Sequence, residues 1–251
     1  MTKTHTAATE KIIIIEPRKI LNHERDFCGM KYDDLLKTLR TRKEASDTAD
    51  STYFETLELL REVQEDVGTL EDEQHVRGAI KHFLIRWGHL GRVFPRSFNW
   101  EEVGNTLRGL KPEFNQLYGK PLLAIDFAEE TVRAAVVTIY NQLKQIKHLG
   151  PTGIIKILHV LNPEVFILWD QQIRGTYPAT ADGYLQFAAA MQCELKEAIQ
   201  DRQKITGVHF DAIIGDLRQE FSHKTMAKLC DEYNWVKTHQ NDHRRPTTSD
   251  Y

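Results

Sequence analysis

The chain has 251 residues, and its 33 basic and 36 acidic side chains give a formal net charge of −3. Its 41% hydrophobic and 27% charged content is typical of a globular protein. A net charge near zero excludes a uniformly basic nucleic-acid-binding surface but not a local basic face. No apolar run approaches the roughly 20 residues of a membrane helix, and the N-terminal residues contain no apolar signal core. We therefore expect a cytoplasmic protein without a membrane segment.

The three cysteines, Cys28, Cys193 and Cys230, are odd in number and far apart in the sequence. They fit neither a disulfide framework nor a paired-thiolate zinc site, and an iron–sulfur cluster would need four thiolates. His148 and His159 lie eleven residues apart, without a third side chain at a metal-binding spacing. The sequence therefore predicts a reduced protein with no metal and no cofactor.

The predicted elements begin with a polar, disordered tail over residues 1–11, followed at Ile12–Ile15 by one short strand or a buried extended arm. From Tyr32 onward apolar residues recur at helical spacing, most regularly over residues 76–90 and 132–143. No later segment alternates with period two, so we predict a mostly α fold, a compact bundle of about ten helices. We expect a single helical domain over residues 12–239, or two helical lobes with a cleft near residues 147–177. A disordered tail is expected over residues 240–251.

Charge is unevenly distributed along the chain. Residues 44–73 contain eleven acidic side chains and one basic side chain, whereas residues 131–163 contain no acidic side chain. The second stretch carries Arg133, Lys144, Lys147 and Lys156, which favours an anionic partner for that part of the molecule. A buried helix with few charges of either sign is the alternative interpretation.

Residues 147–154 have the sequence KHLGPTGI, which predicts a tight glycine hairpin between two helices. Its two glycines allow backbone angles closed to other residues, and its proline fixes the turn. Free backbone N–H groups at the start of the following helix point back toward the hairpin and can hold a phosphate. We predict a phosphate-binding or nucleic-acid-binding site formed by Lys147, Gly150, Thr152, Gly153 and Ile154.

The segments LGPTGIIKILHVLN (149–162) and WDQQIR (169–174) together resemble the helix-hairpin-helix base-excision DNA glycosylase superfamily. In that family the hairpin binds backbone phosphate, and an aspartate at a helix start assists cleavage of the N-glycosidic bond. A lysine, where present, is the nucleophile. The resemblance implies a helix-hairpin-helix element and DNA as the partner, with Asp170 and Lys156 as the catalytic residues. Arg174 keeps the family's spacing after the aspartate and is a further nucleic-acid-binding candidate.

Each of these side chains also has a purely structural interpretation. Asp170 suits a helix N-cap, and Lys156 suits the exposed face of an amphipathic helix. Base extraction needs aromatic pocket walls, for which Trp87 and Trp169 are candidates, but both tryptophans also suit the core.

Three functions therefore remain open. The first is a DNA-binding N-glycosylase of base excision repair that removes a damaged or mismatched base, with or without lyase activity. The second is an N-glycosidase acting on a small nucleoside or nucleotide. The third is a catalytically inactive helical protein that binds nucleic acid.

Overall fold

The computed structural model describes residues 29–44, 47–222 and 224–240. The predicted strand at Ile12–Ile15 and the predicted tail over residues 1–11 lie outside the described residues. So does the predicted tail over residues 240–251, except for Gln240, which is the last residue of a helix. Within them there is no strand, and the chain forms twelve α-helices, one 3-10 turn and one π-helix. The predicted mostly α fold is therefore confirmed. No helix in the described ranges is long and apolar enough to cross a membrane.

The first half of the described chain forms short helices. They are α1 (Tyr32–Glu44), α2 (Asp47–Leu59), α3 (Arg61–Glu65), the 3-10 turn (Val67–Thr69), the π-helix (Asp72–Lys81), α4 (His82–Arg86), α5 (Trp100–Gly109) and α6 (Lys111–Leu117). The second half contains the longer ones. They are α7 (Glu130–Lys144), α8 (Pro151–Leu161), α9 (Gln171–Arg174), α10 (Ala181–Thr206), α11 (Phe210–Glu220) and α12 (Met226–Gln240).

The first of the two regular apolar stripes lies on the π-helix and α4. Its wide turns begin where the amide of Val76 donates to the Glu71 carbonyl five residues earlier. The stripe is buried at Val76, Ile80 and Phe83. A similar wide turn ends α4, where the amide of Gly88 donates to the Phe83 carbonyl at 2.8 Å.

Helix α7 carries the second stripe and packs against α5, α6, α8 and α10. Val132, Val136 and Ile139 are fully buried on it, and nearly all buried apolar side chains of the described residues form one continuous cluster. The six residues 145–150 connect α7 to α8, and the two helices contact one another. These two helices and their connection occupy the position of the predicted helix-hairpin-helix element.

Helix α12 differs from the others because it buries charged side chains. Lys228, Asp231 and Glu232 are each at most 5% exposed. Their charges are paired: Lys228 Nζ lies 2.7 Å from Asp231 Oδ2 and 3.3 Å from Glu232 Oε1. Lys224, just before the helix, joins Glu232 at 2.9 Å and Asp50 of α2 at 2.6 Å. These ion pairs form a cluster that connects α12 to α2. The pairing is what makes burial of the charges tolerable, because an unpaired buried charge is strongly destabilising.

Candidate active-site cleft

A cleft of about 920 Å³ opens between the end of α4, the start of α8, the start of α9 and one side of α12. This volume is of the size that small-molecule sites have. Twenty residues line the cleft, and they include five of the predicted site residues: Trp87, Thr152, Lys156, Trp169 and Asp170. Side chains from separate parts of the chain, 87 and 156–170, therefore face one space.

Lys156 is a half-buried side chain on α8, next to the fully buried Ile155. Its ammonium donates to the Gly88 carbonyl at 2.9 Å and lies 5.4 Å from the centroid of the Trp87 ring. Burial lowers the pKa of Lys156, and the charge of Lys228 adds to this effect, whereas Asp231 and Asp170 oppose it. A lysine with a lowered pKa has a larger neutral fraction, which is the form that acts as a nucleophile.

Asp170 is the N-cap of the short helix α9. Its Oδ1 accepts hydrogen bonds from the amides of Gln172 and Ile173, both at 2.8 Å. The capping interpretation of this aspartate is therefore correct as local structure. Because Asp170 also lines the cleft, its carboxylate can act on a ligand while it caps the helix.

The predicted pocket tryptophans differ in exposure. Trp169 is 1% exposed, packs edge-on against Tyr184, and its indole Nε1 is buried without a hydrogen-bond partner. Trp87 is half-buried and stacks on Phe83, with ring centroids 4.8 Å apart. Both residues combine a core position with a place in the cleft wall, so the two interpretations of the sequence are compatible here.

The contribution of α12 to the cleft was not predicted. Lys228, Asp231, Glu232, Trp235 and His239 line the side of the cleft that this helix forms. The neighbouring carboxylates raise the pKa of Lys228 even though burial opposes the charged form. A fixed positive charge therefore lies 4.7 Å from the centroid of the Trp87 ring.

A sequence signal for this helix existed. The charged residues at 228, 231 and 232 have the i, i+3 and i, i+4 spacing of intrahelical ion pairs, and apolar residues flank them on both sides. The apolar residues of α12 are not confined to one stripe but are distributed around the helix. This pattern indicates a helix that is buried on most of its faces.

The glycines of the predicted hairpin do not have the expected conformations. Gly150 is extended, with φ −81° and ψ 172°, and Gly153 lies inside the first turn of α8. A Cβ atom at Gly153 would lie 2.9 Å from Leu149 Cδ1, so close packing accounts for this glycine. The left-handed residue of the turn is His148, with φ 69°. The prediction that unusual glycine angles shape this turn is wrong.

The remaining residues of the predicted phosphate site are dispersed. Thr152 lines the cleft, whereas Ile154 is fully buried and its amide donates to the Gly150 carbonyl at 3.0 Å. Lys147 is exposed. Arg174 donates to the Tyr177 carbonyl at 2.8 Å and lies 6.0 Å from the Trp169 ring centroid. Phosphate binding by these residues stays a prediction.

Comparison with known proteins gave no match: no protein-family model, curated protein or solved structure is similar to this chain. Among the described residues, no group of three or more His, Cys, Asp or Glu side chains could hold a metal ion. Cys193 and Cys230 are free thiols. The functional interpretation therefore depends on the geometry and chemistry of the cleft.

Proposed function

We propose that this protein is an N-glycosylase that removes a damaged or mismatched base from DNA, with Asp170 and Lys156 as its catalytic residues. One observation carries the proposal. Lys156 and Asp170 lie on different elements, yet both line one cleft of about 920 Å³ with Trp87 and Trp169 in its walls. An aromatic-walled space of this size suits a single base extracted from the duplex.

Asp170 supplies the charge that N-glycosidic cleavage requires. The sugar passes through an oxocarbenium-like state, and a fixed carboxylate beside it stabilises the positive charge as it develops. The hydrogen bonds from the amides of Gln172 and Ile173 hold Asp170 Oδ1 in place. The carboxylate is thus oriented before the substrate binds.

Lys156 supplies the nucleophile in a lyase reaction. Its neutral Nζ attacks the sugar C1′ as the bond from C1′ to the base breaks, and the base leaves with the electron pair and takes up a proton. Opening of the sugar ring then gives a Schiff base between Nζ and C1′. The half-buried position and the lowered pKa of Lys156 support this role.

The proposal is tested with duplex oligonucleotides that each contain one oxidised, alkylated, deaminated or mismatched base. We expect base release from at least one duplex, loss of release in Asp170→Asn, and a covalent borohydride-trapped adduct that is lost in Lys156→Gln. Release without an adduct would restrict the protein to hydrolysis by a water molecule. Full activity in Asp170→Asn would refute the mechanism, and DNA binding without release would favour the inactive binding protein.

Hydrolysis of a small nucleoside or nucleotide is the second candidate function. The observation that favours it is Gly153, which packs against Leu149, so that one of the two glycines of the predicted duplex-binding hairpin has no open surface for a backbone phosphate. The same two catalytic residues would act on the small substrate. Base release from a panel of free nucleosides and nucleotides, with none from DNA, would select this function.

A further inference from the structure

Seven of the twelve arginines among the described residues form an ion pair with a carboxylate. Two of the remaining arginines, Arg42 and Arg86, line the cleft. Neither guanidinium has an ion pair or a hydrogen bond to a residue that the structure describes. Two more, Arg92 and Arg96, are exposed in the loop that follows the cleft residue Leu90. Two of the five described arginines without a carboxylate partner therefore line this cleft, and none of the seven ion-paired arginines does.

The cleft carboxylates, in contrast, are all engaged. Asp231 and Glu232 are paired with lysines, and Asp170 accepts two backbone N–H groups. The lining holds four Lys and Arg side chains against these three carboxylates, so its net charge is +1 with neutral histidines. The whole chain has a net charge of −3. The cleft is thus more positive than the protein around it.

Arg42 lies next to an aromatic surface. Its guanidinium carbon is 4.5 Å from the centroid of the Trp235 ring, and the His239 ring stacks on Trp235 with centroids 4.3 Å apart. Trp235 is 37% exposed, which is unusual for a side chain this large. Cations and flat rings together in the wall of a cleft suit a ligand that is both anionic and aromatic.

We propose that Arg42 and Arg86 form a phosphate subsite of the cleft, so that the ligand is a phosphate ester of a nucleoside and not the unphosphorylated nucleoside. This inference rests on the proposed function and narrows its substrate class. Guanidinium groups bind phosphate oxygens through paired N–H donors, which makes them selective for this group. The phosphate belongs either to a DNA strand or to a free nucleotide.

The test measures equilibrium binding by the Asp170→Asn protein, in which the proposed chemistry is blocked. One probe is a fluorescent duplex that contains a tetrahydrofuran analogue of an abasic site. The others are 2′-deoxyadenosine 5′-monophosphate and 2′-deoxyadenosine. The variants are Arg42→Gln and Arg86→Gln. Two ion-paired arginines are matched controls: Arg40→Gln on the same helix as Arg42, and Arg77→Gln on the π-helix before Arg86.

We expect each cleft variant to weaken binding of a phosphate-bearing probe about tenfold, and each control to weaken it less than twofold. For the duplex, the slope of the logarithm of the binding constant against the logarithm of the salt concentration should also decrease by about one for each cleft arginine replaced, as expected for the loss of one phosphate contact. An effect confined to the duplex identifies DNA as the source of the phosphate, and an effect on the monophosphate identifies a free nucleotide.

Equal losses in cleft and control variants would show a nonspecific charge effect and would overturn the subsite. So would equal binding of the nucleoside and its monophosphate together with an unchanged affinity for the duplex. Arg42 is half-buried and the other three arginines are exposed, and thermal denaturation checks that each variant is folded. Because binding is measured without turnover, the subsite can survive even if no base release is ever found.

Discussion

The ammonium groups of Lys156 and Lys228 lie beside the same indole ring, 5.4 and 4.7 Å from the centroid of Trp87. Their environments differ. Lys228 is paired with two carboxylates, whereas Lys156 hydrogen-bonds to the neutral carbonyl of Gly88. The carboxylates thus keep Lys228 charged, and burial beside that charge favours the neutral form of Lys156.

We therefore expect Asp231→Asn to lower the pKa of Lys156 further, because Asp231 is the carboxylate that opposes this shift most strongly. The measurement is competitive acetylation across a pH series, with the extent of labelling at each lysine read by mass spectrometry. The pH dependence of labelling at Lys156 should move to lower pH, while the extent of labelling at the exposed Lys147 should not differ between the two proteins. Asp170→Asn should produce a smaller shift. An unchanged Lys156 midpoint in folded Asp231→Asn would contradict this account.

The two roles of Asp170 can be separated with two substitutions. Asparagine is also a good N-cap, so Asp170→Asn should leave the free energy of unfolding nearly unchanged, whereas Asp170→Ala should lower it by about 1 kcal/mol. Base release should be lost in both variants. Thr180→Ala removes the cap of α10, which lies outside the cleft lining, and should lower stability while activity is kept. Activity that follows stability across all three variants would point to capping as the sole role.

Gly88 should tolerate no side chain. A Cβ atom there would lie 2.6 Å from the Leu84 carbonyl oxygen, which is backbone and cannot move aside independently. We expect Gly88→Ala to lower the free energy of unfolding by more than about 1 kcal/mol and to displace the carbonyl that accepts from Lys156. Urea denaturation measures the first effect, and acetylation of Lys156 measures the second. Gly215→Ala is the control, since nothing lies within 4 Å of its added Cβ and the helix should gain stability. Equal stability of the two variants would contradict the expected clash.

His159 should make the protein less stable in mild acid. Its Nδ1 donates to the Phe166 carbonyl at 2.6 Å, and its Nε2 accepts from the Tyr53 hydroxyl at 3.0 Å, so the ring is held neutral. Burial lowers its pKa to about 3. Between pH ~6.5 and 3 the unfolded chain binds a proton that the folded protein does not, so stability falls as pH falls, by about 1.4 kcal/mol per unit. Urea denaturation at several pH values should show a flatter profile in His159→Phe than in wild type. An exposed histidine, His209→Gln, is the control, and parallel wild-type and His159→Phe profiles would refute the expectation.

Glu194 on α10 should act in the opposite direction. Burial raises its pKa to about 7, and the charge of Glu197 adds to the shift, although a hydrogen bond from the Met30 amide opposes it. The folded protein then binds a proton between pH ~4.5 and 7 that the unfolded chain has lost, so stability falls as pH rises through this range. Glu194→Gln should gain about 1–2 kcal/mol at pH 8, allowing for solvent screening of a partly exposed group. The exposed Glu101→Gln should gain nothing, and the absence of any difference between the two variants would contradict the prediction.

Local patterns in the sequence were sufficient to predict the fold class and one half of the cleft. Apolar spacing predicted the helices, and the apolar run before Asp170 predicted a carboxylate at a helix start, which the structure has. Lys156 and Asp170 are 14 residues apart, so short-range reasoning could place them near each other. The side of the cleft that α12 forms was missed because it depends on pairing over long sequence separations. Lys224 and Asp50, for example, are 174 residues apart.

At Gly153 a feature was predicted that the structure does not have, since a glycine near a turn was interpreted as a sign of unusual backbone angles. In the structure it allows close approach of Leu149 within a regular helix. The sequence alone does not distinguish a glycine needed for its backbone angles from one needed for its lack of a side chain.

The ion cluster between α12 and α2 also has a kinetic consequence. Lys224 and Asp50 are 174 residues apart in the sequence. We expect their ion pair to form late in folding, because a contact between distant residues requires closure of the long loop between them. Until then Lys228 does not lie beside Trp87, and Lys156 lacks the full burial that lowers its pKa. A partly folded chain can contain helices α7 to α9 with Lys156 and Asp170 in place, yet Lys156 would remain an ordinary, protonated lysine. Chemical reactivity at Lys156 should therefore arise together with the last step of folding, and it should be lost first when α12 detaches.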